Sequence, residues 1–532
     1  MRKKAENHGM DLLLIDTGDR IEGNGLYDAS DPKGRYTADI FKSQHIDALC
    51  SGNHELYKRA SSENEYLITV PNFNGDYISS NIEIIDPKTG NLVPLAPKFK
   101  KFSTKVRGIR IMAFGFLFDF KENYNNTVVQ PVEETIKEDW FQHAIQDKEV
   151  DLFLVVGHVP VQSKEYDAVF KAIRGANWDV PIQFFGGHHH IRDYVKYDSS
   201  SYGLASGRFM ETVGFMSISG LSFGGNKSTV PLTFNRRYID NNLWSYRHHT
   251  GLNETTFPTT EGKAASNMIF NARRALNLDR LYGCSPRDLW MSRAKYPSES
   301  SIYSWLEEEV LPEALAGEKP SLALVNTGAI RFDLFKGQVT EDSSYILSPF
   351  TGGFRYTKNI PYEKATKILE VLNKAPRIVT QMAHSNTSFS TFLVPPEQLS
   401  LDSNWDKTLK SDQVRFDNSN YMPPATNLIP GYTTKDAAGA DGDDTIHSPI
   451  SFHRLPNCIQ AFIPSSKSKH RSIKPENVDL IYLEFIEPFI DIAAKFVGLD
   501  FDIKKDTHEY MPGSSLRSIL ISWVEKNWKC EN

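Results

Sequence analysis

The sequence predicts an α/β protein of two domains, with α+β character where antiparallel strands join a largely parallel sheet. Three observations lead there. Short, continuously apolar runs end in Gly-Asp, Gly-Asn-His or Gly-His, as strands buried on both faces do. Helical periodicity falls between the first of these runs, giving the strand–loop–helix–strand rhythm of a parallel sheet. At 532 residues the chain is too long for one compact core, and its composition turns polar over residues 241–258. Domains are therefore expected over residues 1–245 and 246–532.

In chain order, residues 1–9 read as the end of a helix. Residues 11–16 read as a buried strand stopped by Gly18, residues 36–45 as a helix with Ile40 and Phe41 on one face, and residues 47–50 as the next strand. Residues 76–82 and 107–116 are two more strands. Residues 131–145 form one amphipathic helix with Val132, Ile136, Trp140 and Phe141 on its apolar side. Strands ending at Val156 and Phe185 follow. Between Tyr194 and Tyr238, turn signals at Gly203, Gly207, Gly214 and Gly220 separate short strands suited to the antiparallel layer of a sandwich. In the second half, residues 264–276, 302–315, 363–373 and 515–528 are helical. Residues 322–325 form a strand, and residues 479–497 a strand and then a helix. Residues 402–447 are polar and loop-rich, a mobile surface insertion.

Composition is that of an ordinary soluble chain, and a net charge of -6 offers no electrostatic footprint for nucleic acid. No apolar run is long enough to span a membrane. The start, Met1 to Gly9, is basic but has no apolar core, so it is not a signal peptide. Cys50, Cys284, Cys458 and Cys530 are scattered without metal-like spacing, and Cys50 reads as a small core residue. Sequons at Asn125, Asn226, Asn253 and Asn386 permit a secretory location without arguing for one.

Ligands of such sheets gather at the carboxyl ends of strands. Here those ends carry Gly18-Asp19, Gly52-Asn53-His54-Glu55, Gly157-His158 and Gly187-His188-His189-His190. Asp and Asn offer oxygen ligands, and His serves as ligand or proton donor. The set suits metal-dependent hydrolysis of a phosphate ester. That reaction needs charge neutralised on the phosphoryl oxygens and a nucleophile generated at neutral pH, which two divalent ions roughly 3.5–4 Å apart supply. On a strand end, His188 and His190 would share a side and His189 would point away.

These motifs, in this order and each on an apolar strand, resemble the calcineurin-like metallophosphoesterases. Asn326-Thr327-Gly328-Ala329-Ile330-Arg331, followed by Pro349-Phe350, resembles the C-terminal signature of the 5′-nucleotidase family. Asp76-Tyr77-Ile78-Ser79-Ser80-Asn81 resembles that family's Ser-x-Asn strand. The resemblance covers nearly the whole chain and points to fungal, yeast-type vacuolar members. It implies a metallophosphoesterase β-sandwich flanked by helices, then a 5′-nucleotidase C-terminal-like α/β domain that supplies the substrate pocket. It also implies two divalent ions, Zn, Mn, Fe, Co or Mg. Asp19 would bridge them, Asn53, His158 and His188 would complete one shell, and His190 would belong to the other. Hydroxide on the metal would attack phosphorus, while His54 stabilises the transition state or protonates the leaving oxygen. Two readings stand for Arg331, a substrate-phosphate ligand or a structural salt bridge, and two for Phe350, a stacking platform for a nucleobase or a core residue. The substrate would be a small phosphate ester, with nucleotides first, and the compartment the vacuole or the exterior.

The chain departs from the family pattern at its start. The family's first motif, Asp-x-His, is missing; Glu6-Asn7-His8-Gly9 imitates it but lies too close to the next strand for a helix to intervene. One metal shell is then left with Asp19 and His190 alone, a central strand is lost, and an edge is exposed. Starting at Met1 in mid-helix reads as truncation of a longer protein. Tyr57 occupies the position of an Asp that orients the catalytic His, so another carboxylate takes over, or His54 is less well poised, or Tyr57 is a surface residue. Gly352 replaces an Asn of the family. A non-catalytic nucleotide-binding protein derived from such an enzyme is the second expectation. Nuclease action is a third, disfavoured by the acidic balance.

Overall fold

The computed structural model describes residues 1–222, 224, 228–374, 393–398, 429–430, 451–466, 475–500 and 502–530. The insertion expected at 402–447, apart from 429–430, and the sequons at Asn226 and Asn386 lie outside the described residues. The protein is a mixed α/β fold of two compact units. The first holds Met1–Ile21 and Arg35–Phe270, and the second holds Glu22–Gly34 with the described residues of 271–429 and 451–532.

The first unit is built on a six-stranded sheet in the order Arg192–Asp198, Ser201–Ser206, Ile182–Gly186, Leu152–His158, Arg110–Leu117 and Phe99–Ser103. The four central strands are parallel and the two edges antiparallel. Alternation sorts the side chains. Met112, Phe114, Phe116, Phe153, Val155 and Phe184 face one side, where Phe141, Tyr166, Val169 and Ile173 of the helices Asp139–Ile145 and Lys164–Ala176 cover them. Ile111, Ala113, Leu152, Leu154 and Val156 face the other side, against Ala48, Cys50 and Ile78. Each such buried aliphatic or aromatic side chain contributes on the order of 1.5–3 kcal/mol.

That second layer is a short parallel ladder, Ile15–Asp16 beside Ala48–Leu49, extended by a bridge from Leu49 to Tyr77. Of the expected strand over 76–82, the part before Ile82 forms only this bridge, because its backbone partners change along its length: Ile78 N–H donates to Leu49, Ser79 N–H to Pro97 and Ser80 N–H to Gly115, and side chains add to these bonds. Ser80 Oγ accepts the Gly115 N–H at 3.0 Å, and the Asn81 carboxamide both accepts from Leu117 N–H (3.0 Å) and donates to its carbonyl (2.8 Å). A regular strand follows at Ile82–Ile85. The buried strand expected over 11–16 is likewise regular only at Ile15–Asp16, and Leu14 is exposed. Its polar groups are drawn aside: the Asp11 carboxylate accepts the Val106 and Arg107 N–H groups, and Leu14 N–H donates to Asp47. Among the described residues it pairs on one side alone.

Three other elements differ from expectation. Residues 36–45 shorten to the helix Thr37–Lys42. The single helix over 131–145 is two, Val132–Thr135 and Asp139–Ile145, as Thr135 Oγ1 turns back to the Pro131 carbonyl and Gln142 donates to that of Ile136. The polar stretch at 241–258 contains the helix Leu243–Thr250, capped by Asn242 and closed by Gly251 in the left-handed region.

The second unit has a five-stranded sheet in the order Cys458–Ile463, Ser321–Asn326, Asn477–Leu483, Phe354–Pro361 and Thr507–Tyr510, parallel only between Ser321–Asn326 and Asn477–Leu483. Helices Tyr362–Lys374, Glu487–Phe496 and Leu516–Asn527 pack on it, and Trp305, Trp523 and Trp528 meet with ring centroids 4.9–5.5 Å apart. The cysteines are not all unpaired: Cys284 and Cys530, 246 residues apart, form a disulfide. Spacing could not reveal it, since the fold brings the last residues back to the strand Leu281–Ser285. Cys50 and Cys458 are buried free thiols.

Candidate metal centre

Glu55 organises the first two motif turns. Its buried carboxylate accepts the backbone N–H groups of Asp19 (3.0 Å), Arg20 (2.7 Å) and Gly52 (2.8 Å). The turns interlock so closely that side chains are excluded. A Cβ at Gly18, which has φ 86°, would lie 2.3 Å from Gly52 N, and one at Gly52 would lie 2.1 Å from Asp19 Oδ1. Behind them the Arg20 guanidinium reaches Asp16 (2.9 Å), the Cys50 carbonyl (2.7 Å) and Glu65 (3.0 Å), and lies over the rings of Phe41 and Tyr77. Burial pushes the Glu55 carboxyl up to about 7, against the pull of Arg20.

Asp19 is held at φ 57°, a region few non-glycine residues enter. Its Oδ1 accepts the His54 N–H at 2.9 Å. Its Oδ2 lies 2.9 Å from His158 Nε2 and 4.0 Å from His54 Nε2. Burial alone would raise this carboxyl, but the His158 and His54 rings hold it well below the usual range. His158 ends the strand Leu152–His158, and its Nδ1 donates to the Thr17 carbonyl at 2.9 Å. In the neutral ring that bond leaves the Nε2 lone pair toward Asp19. Burial pulls the His158 ring down, and the Asp19 carboxylate more than offsets it, so its pKa is raised.

His188 is stacked on Phe118 at 4.1 Å and edge-on to His158 at 5.3 Å. Burial and the neighbouring His158 keep it well below the ordinary histidine value, hence neutral. Ligand atoms of Asp19, His158 and His188 all lie within 4.8 Å of one another. His190 is outside that group, its ring 5.2 Å from Phe209. The strand-end argument for these histidines fails, because the strand stops at Gly186 and both His188 (φ 73°) and His190 (φ 55°) are left-handed. Strand alternation therefore does not set their directions, and the His189 ring comes within 5.8 Å of His188.

Asn53 and His54 stand at the start of a 3-10 turn, His54–Leu56. Asn53 Nδ2 donates to the Tyr57 hydroxyl at 2.9 Å. The buried His158 Nε2 meets only the Asp19 carboxylate, and Asn53 Oδ1 is buried and has no hydrogen-bond partner. Buried polar atoms are rarely left so. An orphaned carbonyl oxygen, with a carboxylate and two imidazoles whose ligand atoms lie within 4.8 Å of one another, forms a donor set that fits a divalent cation. Such a cation would displace the proton that Asp19 and His158 share. Tyr57 is half-buried rather than on the surface, edge-on to both His54 (5.0 Å) and Phe120 (5.3 Å).

In the second unit, Asn326-Thr327-Gly328-Ala329-Ile330 is buried throughout, and only Arg331 is half-exposed. The Arg331 guanidinium lies over the Phe350 ring at 5.7 Å, and Phe350 is itself half-exposed. Sequence reasoning missed Glu55, Arg20, Glu65 and Phe118. Glu55 could have been found, for it stands inside the Gly-Asn-His-Glu motif as a charged residue in an otherwise buried run. Glu65 and Phe118 have no such local signal.

Two family descriptions match the chain: calcineurin-like phosphoesterase over residues 1–192, and the C-terminal domain of NAD nucleotidase over residues 288–491. The crystal structure of 5′-nucleotidase from Candida albicans is 36% identical, with a TM-score of 0.83, covering 99% of this chain and 91% of that one. An uncharacterised protein of Schizosaccharomyces pombe is 36% identical over 92% of this chain and 78% of its own length. A protein of Arthroderma benhamiae described as secreted is 33% identical over 99% of this chain and 85% of its own. The chain belongs to the calcineurin-like metallophosphoesterases, in their 5′-nucleotidase family, and is a metal-dependent hydrolase of phosphate esters.

Proposed function

We propose that the protein removes phosphate from small nucleotides, in nucleotide catabolism, within the vacuole or outside the cell. The observation that carries the substrate class is the likeness to the Candida 5′-nucleotidase over 99% of the chain. Asp19, Asn53, His158 and His188 would hold a divalent ion, with His190 at a second. When bound, such ions lower the pKa of a water and neutralise phosphoryl oxygens. The chain's own residues do the rest. His54, whose Nε2 is 4.0 Å from Asp19 Oδ2, would hydrogen-bond a phosphoryl or leaving oxygen of an ester bound at the ion that Asp19 holds. Arg331 offers a planar guanidinium to phosphate, and Phe350 beneath it offers an aromatic face to a base. For the compartment, support comes from the Cys284–Cys530 disulfide, which suits an oxidising environment, and from the secreted relative.

The test is phosphate release by purified protein from nucleoside 5′-monophosphates and from p-nitrophenyl phosphate, each with Mn²⁺, Zn²⁺, Co²⁺ or Mg²⁺ added. Hydrolysis of nucleotides with the higher kcat/KM is expected. Turnover of the nitrophenyl ester alone would overturn the nucleotide reading.

A further inference from the structure

Asn53 is an unusual turn residue. At the N-terminal end of a helical turn, an Asn side chain ordinarily accepts a backbone N–H two or three residues on. Asn53 makes no such cap. Its Nδ2 goes to the Tyr57 hydroxyl at 2.9 Å, and this leaves Oδ1 buried with no hydrogen-bond partner. The hydroxyl is itself fixed, because the Tyr57 ring is edge-on to His54 at 5.0 Å (87°) and to Phe120 at 5.3 Å (85°). Phe120 is 1% exposed and cannot yield easily.

We infer that Tyr57 is a positioning residue that holds the Asn53 carboxamide with its carbonyl oxygen toward the metal. The inference rests on the reading of Asn53 as a ligand. A hydroxyl that accepts the amide N–H decides which end of the carboxamide is left for a cation, which is how outer partners set the direction and basicity of ligands. A neutral phenol does this without adding negative charge to a neighbourhood that already holds Asp19 and Glu55. The same ring borders His54, so one side chain sets the surroundings of both the ligand and the proposed proton donor.

The experiment is calorimetric titration of Mn²⁺ into metal-stripped wild type, Tyr57→Phe, Asn53→Ala and the double variant, with urea unfolding of each. Tyr57→Phe keeps the ring and its packing and removes only the hydroxyl. We expect it to weaken Mn²⁺ binding by about 10–100-fold, with the unfolding midpoint little changed. We expect it to have no further effect in the Asn53→Ala background, where there is no carboxamide to hold. Equal weakening in both backgrounds, or none in either, would overturn the positioning role. Unaltered Mn²⁺ affinity in Asn53→Ala would instead overturn the ligand reading beneath it, so the two failures are distinguishable.

Discussion

Two short turns leave the carboxyl ends of strands here, His54–Leu56 after Ala48–Leu49 and Thr327–Ala329 after Ser321–Asn326. Both are 3-10 turns and both carry a family signature, yet they use it in opposite ways. In the second, hydroxyl and backbone groups tie the turn to the rest of its own unit. Thr327 Oγ1 donates to the Pro456 carbonyl (2.8 Å), Tyr303 donates to that of Thr327 (3.0 Å), and Ser348 donates to that of Ala329 (3.0 Å). In the first, Asn53 Nδ2 turns to Tyr57 instead of capping the turn, His158 Nε2 meets the Asp19 carboxylate at 2.9 Å, and Asp19 is held at φ 57° with its N–H bonded to a buried Glu55. A signature whose groups bond into their own core records architecture. One that gathers a carboxylate and imidazoles at a strained turn points to chemistry.

The largest effects should come from the first turn. Asp19→Ala is expected to abolish both phosphate release and Mn²⁺ retention, because it removes the oxygen that lies 2.9 Å from His158. His54→Ala should cut kcat by roughly 10²–10⁴-fold and leave the metal in place. Metal content by elemental analysis, beside steady-state rates, separates the two. If His54→Ala also stripped the metal, the division of labour between ligand and proton donor would be wrong.

The second turn should respond in the reverse manner. Ile330 is fully buried, so Ile330→Ala should cost about 2–5 kcal/mol in urea unfolding, with kcat/KM of the folded fraction nearly intact. Its neighbour Arg331→Ala should leave stability nearly unchanged and raise KM, since its guanidinium lies on the half-exposed Phe350. A large loss of stability in Arg331→Ala would return that residue to the salt-bridge reading.

The same contrast explains what the sequence made legible. The parallel sheet was readable because its strands are continuously apolar, with both faces buried, and helical periodicity falls between the first of them, and period and apolarity are local properties. Asp19, His158 and His188, which the fold brings within 4.8 Å of one another, were legible as a cluster because their motifs follow the carboxyl ends of neighbouring strands. What was not readable depends on distance along the chain. The Ser80 and Asn81 side chains bond to residues 35 and 36 positions away, and Cys284 meets Cys530. The directions of His188 and His190 turn on two left-handed residues, which neither spacing nor alternation encodes.

The smallest effect tests the contrast within one pair of strands. Leu117 and His158 are partners at the carboxyl ends of Arg110–Leu117 and Leu152–His158, where the candidate metal cluster lies. At the amino ends of the same strands, Asp151 accepts from Arg110 Nε (3.0 Å), its second guanidinium nitrogen (2.8 Å) and its backbone N–H (2.9 Å). Burial would raise the Asp151 carboxyl, but the Arg110 hydrogen bonds outweigh it and the pKa is lowered. A lowered folded-state value stabilises the protein above the unfolded carboxylate pKa of about 3.9, and the contribution is lost as pH falls through the folded value. Asp151→Asn should therefore be less stable than wild type by a margin that is constant from pH 7 to about 5 and closes below about 3.9. Its kcat at pH 7 should be unchanged, because these bonds are already satisfied without a ligand. A margin that persisted in acid would assign the effect to packing rather than charge, and an altered kcat would mean that the two ends of the strands are coupled.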